Sequence, residues 1–208
     1  MFPSLPRLHV LSDTTVQNNY GHFALAQMAW EAGNVALQYR NKSFQRQRDL
    51  CELQAIAQLA KLQSNCLLVN DNASLAFELN AQGVHLGQGD GSPAIAAQQM
   101  GPNAIIGATV HSIAELNALA GMPISYIGVG PVFGTRSKST GLPDLGLKGL
   151  AEICTASPWP VIAIGSIRLE DVEAIKAAGA YGVAVISAFC LAKDPTKVAR
   201  LFLEKLES

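Results

Sequence analysis

The sequence predicts an α/β protein with a single domain over residues 1–208, a (β/α)8 barrel of the TIM type. Three observations predict this fold class. Eight short apolar runs recur along the chain, helical patterns separate most of them, and no linker or low-complexity tract divides the sequence. Eight strand–helix units in roughly 200 residues suit a barrel at the small end of its usual range. An open, doubly wound sheet is the alternative for the same alternation.

The eight apolar runs are rich in leucine or β-branched residues and are bounded by Gly, Asn, Asp or Pro. The strands of a parallel sheet are buried on both faces, so they read as continuous apolar runs. The predicted strands cover residues 8–11, 35–37, 67–69, 84–86, 104–107, 126–129, 161–164 and 183–186.

Helical patterns lie between most of these runs. Residues 23–32 are rich in Ala, Leu and Met, and residues 45–63 place apolar side chains at helical spacing. Ser112 and Glu115 form a capping-box pattern that opens a helix over 112–120. A helix over 169–178 is expected to end at Gly179, and Asp194 is expected to start a final helix that runs to 206.

The composition indicates a globular protein with a large core, because 49% of the residues are hydrophobic and 15% are charged. The net charge of −1 gives no general attraction to nucleic acid or to a membrane surface, so phosphate binding must come from local clusters. The four cysteines form no CxxC pair, which argues against a zinc site or a disulfide framework. With no signal-like start and no membrane-length apolar run, a cytoplasmic location is expected.

A cationic cluster follows the second predicted strand. Gln38, Arg40 and Lys42 are spaced by two, so they point to the same side if the strand continues through them. Two cations on one side repel each other unless an anion lies between them, and guanidinium and ammonium groups both suit phosphate. The alternative is a solvated strand end. Because Gln38 directly follows a buried run, the cluster favours a phosphate clamp.

Two carboxylates follow the third and fourth strands. Asp71 comes after Asn70, and Asp90 lies in a Gly-Gln-Gly-Asp-Gly segment. Adjacent strands of a barrel end close together, and Mg²⁺ accepts one or two carboxylates with water and phosphate completing its shell. The alternatives are a helix cap at Asp71 and a simple turn at Asp90. Together with the cations, the carboxylates predict a metal–diphosphate site at the carboxyl end of the barrel.

Further polar residues follow the remaining strands. Thr109 and His111 follow the fifth strand, where His111 could be an acid–base group or part of the following cap. We interpret His85, inside an apolar run, as a hydrogen-bonded core histidine. Residues 134–141 combine hydroxyls and cations in a loop that suits phosphate binding, with an ordinary hydrophilic loop as the alternative. The ends of the last two strands, at 165–166 and 186–187, suit a cradle of backbone amides for phosphate, with a tight turn as the other interpretation of Gly165.

Ordered motifs at successive strand ends carry a resemblance to a known family. They are Gln38-x-Arg40-x-Lys42, Asn70-Asp71, residues 83–90, residues 128–133, Thr135-x-Ser137-Lys138, residues 163–165 and residues 179–188. With these motifs the chain resembles the thiamine phosphate synthase family over nearly its whole length. That family is related to the thiazole tautomerases, which share the barrel.

The resemblance implies a transferase of thiamine biosynthesis. It would join 4-amino-2-methyl-5-hydroxymethylpyrimidine diphosphate to 4-methyl-5-(2-phosphoethyl)thiazole, or to its carboxylated form, and release pyrophosphate. Diphosphate would leave first, and the thiazole nitrogen would attack the pyrimidine-stabilised carbocation, so no protein nucleophile is needed. The implied partners are small molecules rather than nucleic acid or membrane. Barrels of this kind often self-associate, so a homo-oligomer stays an open alternative.

The resemblance also implies roles for individual residues. The catalytic residues are Arg40, Lys42, Thr109 and Lys138. The pyrimidine diphosphate would be bound by Gln38, Tyr39, Arg40, Asn41, Lys42, Asn70, Thr109 and Lys138. The thiazole phosphate would be bound by Thr135, Arg136, Ser137, Gly165, Ser166, Ile186 and Ser187. The cofactor Mg²⁺ would be held by Asp71 and Asp90.

The chain departs from the family pattern at several of these positions. Tyr39 stands where the family has leucine, Asn41 where it has glutamate, and Gly134 where it has proline. Ser137 replaces a threonine, and Ser166 replaces the second glycine of a Gly-Gly pair. The thiazole phosphate site therefore differs more from the pattern than the diphosphate site does.

Two rival functions remain open at this point. One is a thiazole tautomerase-like isomerase that would use His111, and the other is a non-catalytic sensor of a phosphate ligand. The isomerase does not need the diphosphate cluster. The presence of Lys42, Asp71, Asp90 and Lys138 therefore favours the synthase.

Overall fold

A computed structural model describes residues 5–16, 19–134 and 144–208, and within these residues parallel strands close into a barrel. The strands are β1 (Leu8–Ser12), β2 (Val35–Tyr39), β3 (Cys66–Asn70), β4 (Gly83–Leu86), β5 (Ile105–Val110), β6 (Tyr126–Val129), β7 (Val161–Ile164) and β8 (Gly182–Val185). They pair in chain order, and β8 pairs with β1 through Leu8 and Val183. The predicted (β/α)8 barrel is confirmed, and the open sheet is excluded.

Helices cover the outside of the barrel. They are α1 (His22–Ala32), α2 (Arg46–Gln63), α3 (Ala73–Glu78), α4 (Pro93–Met100), α5 (Ile113–Ala118), α6 (Gly146–Ala156), α7 (Val172–Ala177), α8 (Ser187–Cys190) and α9 (Pro195–Glu207). The helix expected over 169–178 begins with a 3-10 turn, Leu169–Asp171, and continues as α7. None of the helices in the described part of the chain is long and apolar enough to cross a membrane.

The capping-box prediction at α5 is confirmed in part. Ser112 Oγ accepts a hydrogen bond from the Glu115 amide at 3.2 Å, as a cap does. The Glu115 carboxylate accepts from the amide of His111 at 2.7 Å, rather than from that of Ser112. This bond ties the end of β5 to the first turn of α5.

The side chains of each strand alternate between the barrel interior and the layer beneath the helices. The interior apolar layer consists of Leu11, Ala36, Leu68, Ile105, Tyr126, Ile162 and Ala184. The alternate residues of the same strands pack with the helices in a larger outer core. Burial on both faces explains why the strands read as unbroken apolar runs in the sequence.

The last helix, α9, covers the junction where the barrel closes. It packs against α1 and β1, and it buries Ala199, Phe202 and Leu206. Thr196 Oγ1 donates a hydrogen bond to the carbonyl of Met28 in α1 at 3.2 Å. Because all strands run parallel, their carboxyl ends meet at one rim, where the polar residues that follow them collect.

Candidate active site

A cavity opens at the rim formed by the carboxyl ends of the strands. Its wall combines residues of all eight strands and of the segments that follow them. Ten residues predicted from the sequence lie in this wall: Gln38, Arg40, Lys42, Asn70, Asp71, Thr109, Gly165, Ser166, Ile186 and Ser187. The structure therefore brings members of both predicted sets to one cavity, whereas the predicted metal ligand Asp90 is not among its lining residues. The predicted residues Thr135, Arg136, Ser137 and Lys138 lie outside the described residues.

Tyr39 and Asn41 are not among the residues that line the cavity. Tyr39 belongs to the outer core, where burial raises the pKa of its hydroxyl to about 12. Asn41 Nδ2 donates to Tyr39 Oη at 3.2 Å and to Asp49 Oδ2 at 3.1 Å. Side chains alternate along a strand, so Tyr39 and Asn41 point outward when Gln38 and Arg40 point into the barrel. This alternation explains why Tyr39 and Asn41 do not line the cavity.

Arg40 is held by a buried ion pair. Its guanidinium contacts the carboxylate of Asp13, which follows β1. The second oxygen of Asp13 accepts from the amide and the hydroxyl of Thr15 at 2.9 and 2.6 Å. Both charges are almost removed from water, since the side chains of Arg40 and Asp13 are only 8% and 1% exposed. Asp13 therefore fixes the guanidinium at the cavity wall.

Lys42, Asp71 and Asp90 meet at the rim. The Lys42 ammonium forms an ion pair with Asp71, and Asp71 and Asp90 share a hydrogen bond between their carboxyl groups. Burial and the neighbouring Asp71 raise the pKa of Asp90. Burial opposes ionisation of Asp71 as well, but the hydrogen bonds from Lys42 and Asp90 outweigh it and lower the pKa of Asp71. One proton shared between two adjacent carboxyl groups is the usual consequence of close like charges.

The two carboxylates suit a divalent cation. Among the described residues there is no group of three or more His, Cys, Asp or Glu side chains that could hold a metal. Mg²⁺ does not need such a group, because it is bound through one or two carboxylates plus phosphate and water. The adjacent oxygens of Asp71 and Asp90 therefore fit Mg²⁺ better than a metal that requires an all-protein cage. The structure places the two carboxyl groups side by side, and their binding of Mg²⁺ stays a prediction.

The simple alternative for Asp71 does not hold. Asn72, not Asp71, caps α3, where its Oδ1 accepts from the Leu75 amide at 2.9 Å. Asp71 adopts a left-handed backbone with a φ of 67°, and its amide donates to the carbonyl of His85 at 2.8 Å. For Asp90, the turn interpretation is correct as well, because its Oδ2 accepts from the Gly87 amide at 2.8 Å. That turn places the carboxyl group beside Asp71.

Asn70 carries a buried acceptor that has no partner among the described residues. Its Oδ1 is shielded from solvent and makes no hydrogen bond there, although Asn70 lines the cavity. A buried polar atom without a partner is costly, and native proteins rarely keep one. An N–H group of a ligand would satisfy it.

His85 was expected in the core and is hydrogen-bonded as expected, but it also lines the cavity. Its Nδ1 lies 2.9 Å from Tyr126 Oη, and its Nε2 lies 2.9 Å from Thr109 Oγ1. Thr109, which the sequence placed at the site, thus reaches the cavity with a histidine behind it. His111 lines the cavity too, with its Nδ1 3.0 Å from the Glu115 carboxylate.

The end of β7 places Gly165 and Ser166 in the cavity wall. Gly165 has a φ of 116°, and a Cβ on it would lie 2.7 Å from the backbone of Pro131 and Val132. Only glycine fits such a position. Ser166 adopts a left-handed backbone with a φ of 47° and is exposed. The close approach of the segments that follow β6 and β7 therefore requires glycine at position 165.

Three residues of the site were missed in the sequence. Asp13 has the same signal as Asp71, because each stands one residue beyond an apolar run, at the end of a strand. Tyr126 begins a strand and His9 lies inside one, so both read as ordinary strand residues. Their roles come from the barrel interior, where strands distant in sequence bring them together.

Comparisons with known proteins identify one family. A family model described as "Thiamine monophosphate synthase" matches residues 8–189. A thiamine-phosphate synthase from Salinibacter ruber is 39% identical over 199 residues, which cover 96% of this chain and 88% of the relative. A thiamine-phosphate synthase from Chlorobium phaeovibrioides is 35% identical over 208 residues, 100% of this chain and 97% of the relative.

Solved structures show the same barrel. A thiamine phosphate pyrophosphorylase from Pyrococcus furiosus superposes with a TM-score of 0.85 at 29% identity, and the match covers 97% of this chain and 95% of that one. A 3-hexulose-6-phosphate synthase has a TM-score of 0.70 at 16% identity over 96% of this chain and 99% of its own. The second likeness concerns the fold alone.

Proposed function

The chain belongs to the thiamine monophosphate synthase family, and we propose that its cavity joins an aminopyrimidine methyl diphosphate to a thiazole phosphate. Thiamine phosphate synthesis, by an enzyme of the transferase class that acts on small molecules, is the function of the family and of this chain. The proposal is carried by one observation: the cations Arg40 and Lys42 and the carboxylate of Asp71 line one cavity, and Asp90 adjoins Asp71. Pyrophosphate is the second product.

The protein's main task in this reaction is to stabilise a departing anion. When the diphosphate leaves the pyrimidine methyl group, negative charge accumulates on the departing oxygen. Arg40 and Lys42 provide fixed positive charge at the cavity, and Asp13 keeps the Arg40 guanidinium in place before substrate arrives. Donors that are already oriented stabilise developing charge more strongly than solvent does. The sequence-based role of Lys138 in the same task stays a prediction.

We propose that Asp71 and Asp90 hold Mg²⁺. Bound there, Mg²⁺ would supply further positive charge to the oxygens of the diphosphate. The adjacent carboxyl groups of Asp71 and Asp90, which lie within hydrogen-bond distance of each other, support the proposal. Lys42 balances the charge of Asp71 from the other side.

The thiazole phosphate would occupy the wall formed by the ends of β7 and β8. Gly165, Ser166, Ile186 and Ser187 lie there, in the same cavity as the diphosphate residues. An acceptor held on that wall would face the pyrimidine carbon, so that positioning rather than a protein nucleophile would drive the transfer. The roles of Thr135, Arg136 and Ser137 in holding this phosphate remain predictions.

The test is pyrophosphate release by the purified protein with both substrates, with Mg²⁺ and with excess chelator. We expect release only when both substrates and the metal are present. Asp71→Asn should reduce release by more than about 100-fold, and Glu78→Gln, on the exposed outer face of α3, should not change it. Full release by Asp71→Asn would contradict the metal assignment. No release by the folded wild-type protein would contradict the proposed reaction.

A second function has one observation in its favour. His111 lines the cavity, and the Glu115 carboxylate orients its imidazole at 3.0 Å, an arrangement that suits proton transfer by an isomerase. Isomerisation of a thiazole substrate without pyrophosphate release, lost in His111→Gln, would favour this function. Tight binding of phosphate ligands without either reaction would favour a sensor instead.

We also propose a cytoplasmic location, which the four free cysteines support. Thiols persist in a reducing compartment and are oxidised to disulfides elsewhere. Self-association into a homo-oligomer remains a prediction, which sedimentation analysis can test.

A further inference from the structure

A row of hydrogen-bonded polar side chains runs from the barrel interior into the wall of the cavity. This interior row begins at His9 on β1, passes through Gln38, Tyr126 and His85, and ends at Thr109. His9, Gln38 and Tyr126 are buried, and Gln38, Tyr126, His85 and Thr109 also line the cavity. The row therefore connects the middle of the barrel with the proposed site of chemistry.

The first bond of the interior row fixes the tautomer of His9. Its Nε2 lies 3.1 Å from the carbonyl oxygen of Pro6, which can only accept a hydrogen bond. Nε2 therefore carries the proton. Burial, with a smaller contribution from His85, lowers the pKa of His9 to about 3, so the ring is neutral and Nδ1 is an acceptor.

The acceptor on His9 then fixes the amide of Gln38. Gln38 Nε2 lies 3.0 Å from His9 Nδ1 and 3.3 Å from Tyr126 Oη. Only the amide nitrogen can donate to His9, so both of its N–H groups are used inside the barrel. The amide oxygen of Gln38 is left for a ligand in the cavity that Gln38 lines.

The hydrogen bonds between Gln38 and Thr109 are donated in the same direction along the row. Tyr126 Oη accepts from Gln38, and its own buried proton needs an acceptor, which His85 Nδ1 provides at 2.9 Å. Because His85 Nδ1 accepts from Tyr126, the ring proton lies on Nε2, which donates to Thr109 Oγ1 at 2.9 Å. The proton of the Thr109 hydroxyl remains available to an acceptor in the cavity.

Two glycines show that the barrel is built around this row. A Cβ on Gly107 would lie 2.5 Å from Tyr126 Oη, and a Cβ on Gly128 would lie 2.9 Å from His85 Cε1. The rings also pack on one another, with His9 edge-on to Tyr126 at a centroid distance of 4.9 Å. Any larger residue at 107 or 128 would push a member of the interior row out of place.

We propose that His9 is a positioning residue that gives the interior row a single direction, so that Thr109 offers a proton and Gln38 an oxygen to the substrate. The inference rests on the proposed function only for the identity of the substrate atoms that contact Thr109 and Gln38. In the proposed reaction, the Thr109 hydroxyl donates a hydrogen bond to an oxygen of the leaving diphosphate. The amide oxygen of Gln38 accepts one from an N–H of the aminopyrimidine. A hydroxyl beside a histidine also resembles an activated nucleophile. The direction of the row excludes that role, because the nitrogen facing Thr109 already carries a proton.

The direct test is the ¹⁵N NMR spectrum of the histidine rings in the protein without substrates. The chain has 4 histidines, so single variants suffice to assign the signals. We expect His9 and His85 each to show one protonated Nε2 and one unprotonated Nδ1 at neutral pH. A His85 ring with its proton on Nδ1, or with both nitrogens protonated, would overturn the proposal.

A pair of His9 variants tests the positioning role. His9→Phe keeps a ring of similar size but removes the acceptor for Gln38, so His85 should populate both tautomers. The kcat of pyrophosphate release should fall about tenfold, with the KM for the thiazole phosphate unchanged, since that substrate would meet the ends of β7 and β8 rather than Thr109 or Gln38. His9→Gln can donate to Pro6 and accept from Gln38, and it should restore both readouts. An unchanged His85 spectrum in His9→Phe would contradict the proposal.

His22→Phe is the matched control. His22 is also a buried histidine, but it bonds to Ser12 Oγ at 2.9 Å in the outer core and does not belong to the interior row. Its loss should leave the His85 spectrum unchanged, and a change there would contradict the specificity of His9.

If His9→Phe does not fold, Tyr126→Phe interrupts the same row at its centre with loss of one hydroxyl. An unaltered His85 tautomer in folded Tyr126→Phe would overturn the proposal. A wild-type protein that shows the expected tautomers but releases no pyrophosphate would refute the proposed function and leave the direction of the row intact.

Discussion

The Asp13–Arg40 pair illustrates how one residue at the site serves both stability and binding. Removing the partner of a buried charge is far more damaging than removing an exposed ion pair, because the remaining charge has lost its water as well. Asp13 also accepts two hydrogen bonds from Thr15, so its carboxylate is fully used. Arg40 therefore presents a rigid cation to the cavity.

For Asp13→Asn we expect a loss of about 3 kcal/mol in the free energy of unfolding, because the Arg40 guanidinium stays buried without its counter-charge. Urea unfolding measures the loss. The matched control is Glu78→Gln, which makes the same acid-to-amide change in the exposed pair with Arg46 and should be indistinguishable from wild type. Equal stability of the two variants would show that Asp13 does not hold Arg40.

Replacing Ser166 is expected to preserve or improve function, in contrast to replacing Asp13. Its left-handed backbone is unfavourable for serine and natural for glycine, so Ser166→Gly relieves strain at the wall proposed for the thiazole phosphate. Binding of the thiazole phosphate should be preserved or improved, as titration calorimetry will show. A large loss of affinity would mean that the serine hydroxyl itself contacts the ligand.

At the scale of the elements, the residues at the strand ends form the site. Side chains within the strands hold those residues in place through hydrogen bonds. The polar residue after an apolar run is visible in the sequence, which is why the positions of Arg40, Asp71 and Thr109 could be predicted. The contacts of His85 with Tyr126 and of His9 with Gln38 join different strands. No local pattern contains such contacts, since they depend on the register of the closed barrel.

The interior glycines give an element-scale prediction. Gly128→Ala places a methyl group 2.9 Å from Cε1 of His85. This close contact should reduce the free energy of unfolding by about 1–3 kcal/mol. Gly89→Ala makes the same change where no atom lies within 4 Å and should be neutral. Thermal unfolding distinguishes the two. Equal stability would show that the ring of His85 moves aside without strain.

At the scale of the whole molecule, the barrel itself was predictable and its polar centre was not. The alternation of apolar runs and helical patterns determines the number and order of the strands, and their parallel arrangement follows from the helical crossovers. A buried polar row inside a barrel contradicts the apolar pattern that identified the strands. Such departures are expected where function requires them.

The buried histidines make the stability of the whole protein depend on pH. The pKa of His9 is about 3 in the folded protein and about 6.5 in an unfolded chain, so the unfolded chain takes up the proton first as the pH falls. The stability contributed by neutral His9 is complete above about pH 6.5 and declines steadily toward pH 3. Between pH 7 and pH 5 we expect a loss of about 2 kcal/mol in the free energy of unfolding.

Urea unfolding of the wild type and of His9→Phe across this pH range checks the prediction. His9→Phe should lose less stability between pH 7 and pH 5 than the wild type does. His22, whose pKa burial also lowers, leaves a residual dependence in both proteins. Parallel pH dependence of the two proteins would contradict the assignment to His9.

The interior row orients Thr109 for catalysis, but it does not give the barrel its highest possible melting temperature. Hydrogen-bonded polar pairs can often be exchanged for apolar residues of the same shape with no loss of stability, and sometimes with a gain. Selection for a higher melting temperature alone would therefore tend to replace His9, Gln38, Tyr126 and His85 together, leaving a sturdier barrel whose active site no longer has an oriented Thr109. Descendants of this protein that adapt to hot environments are expected to gain their extra stability on the outer helices and to keep the polar centre unchanged.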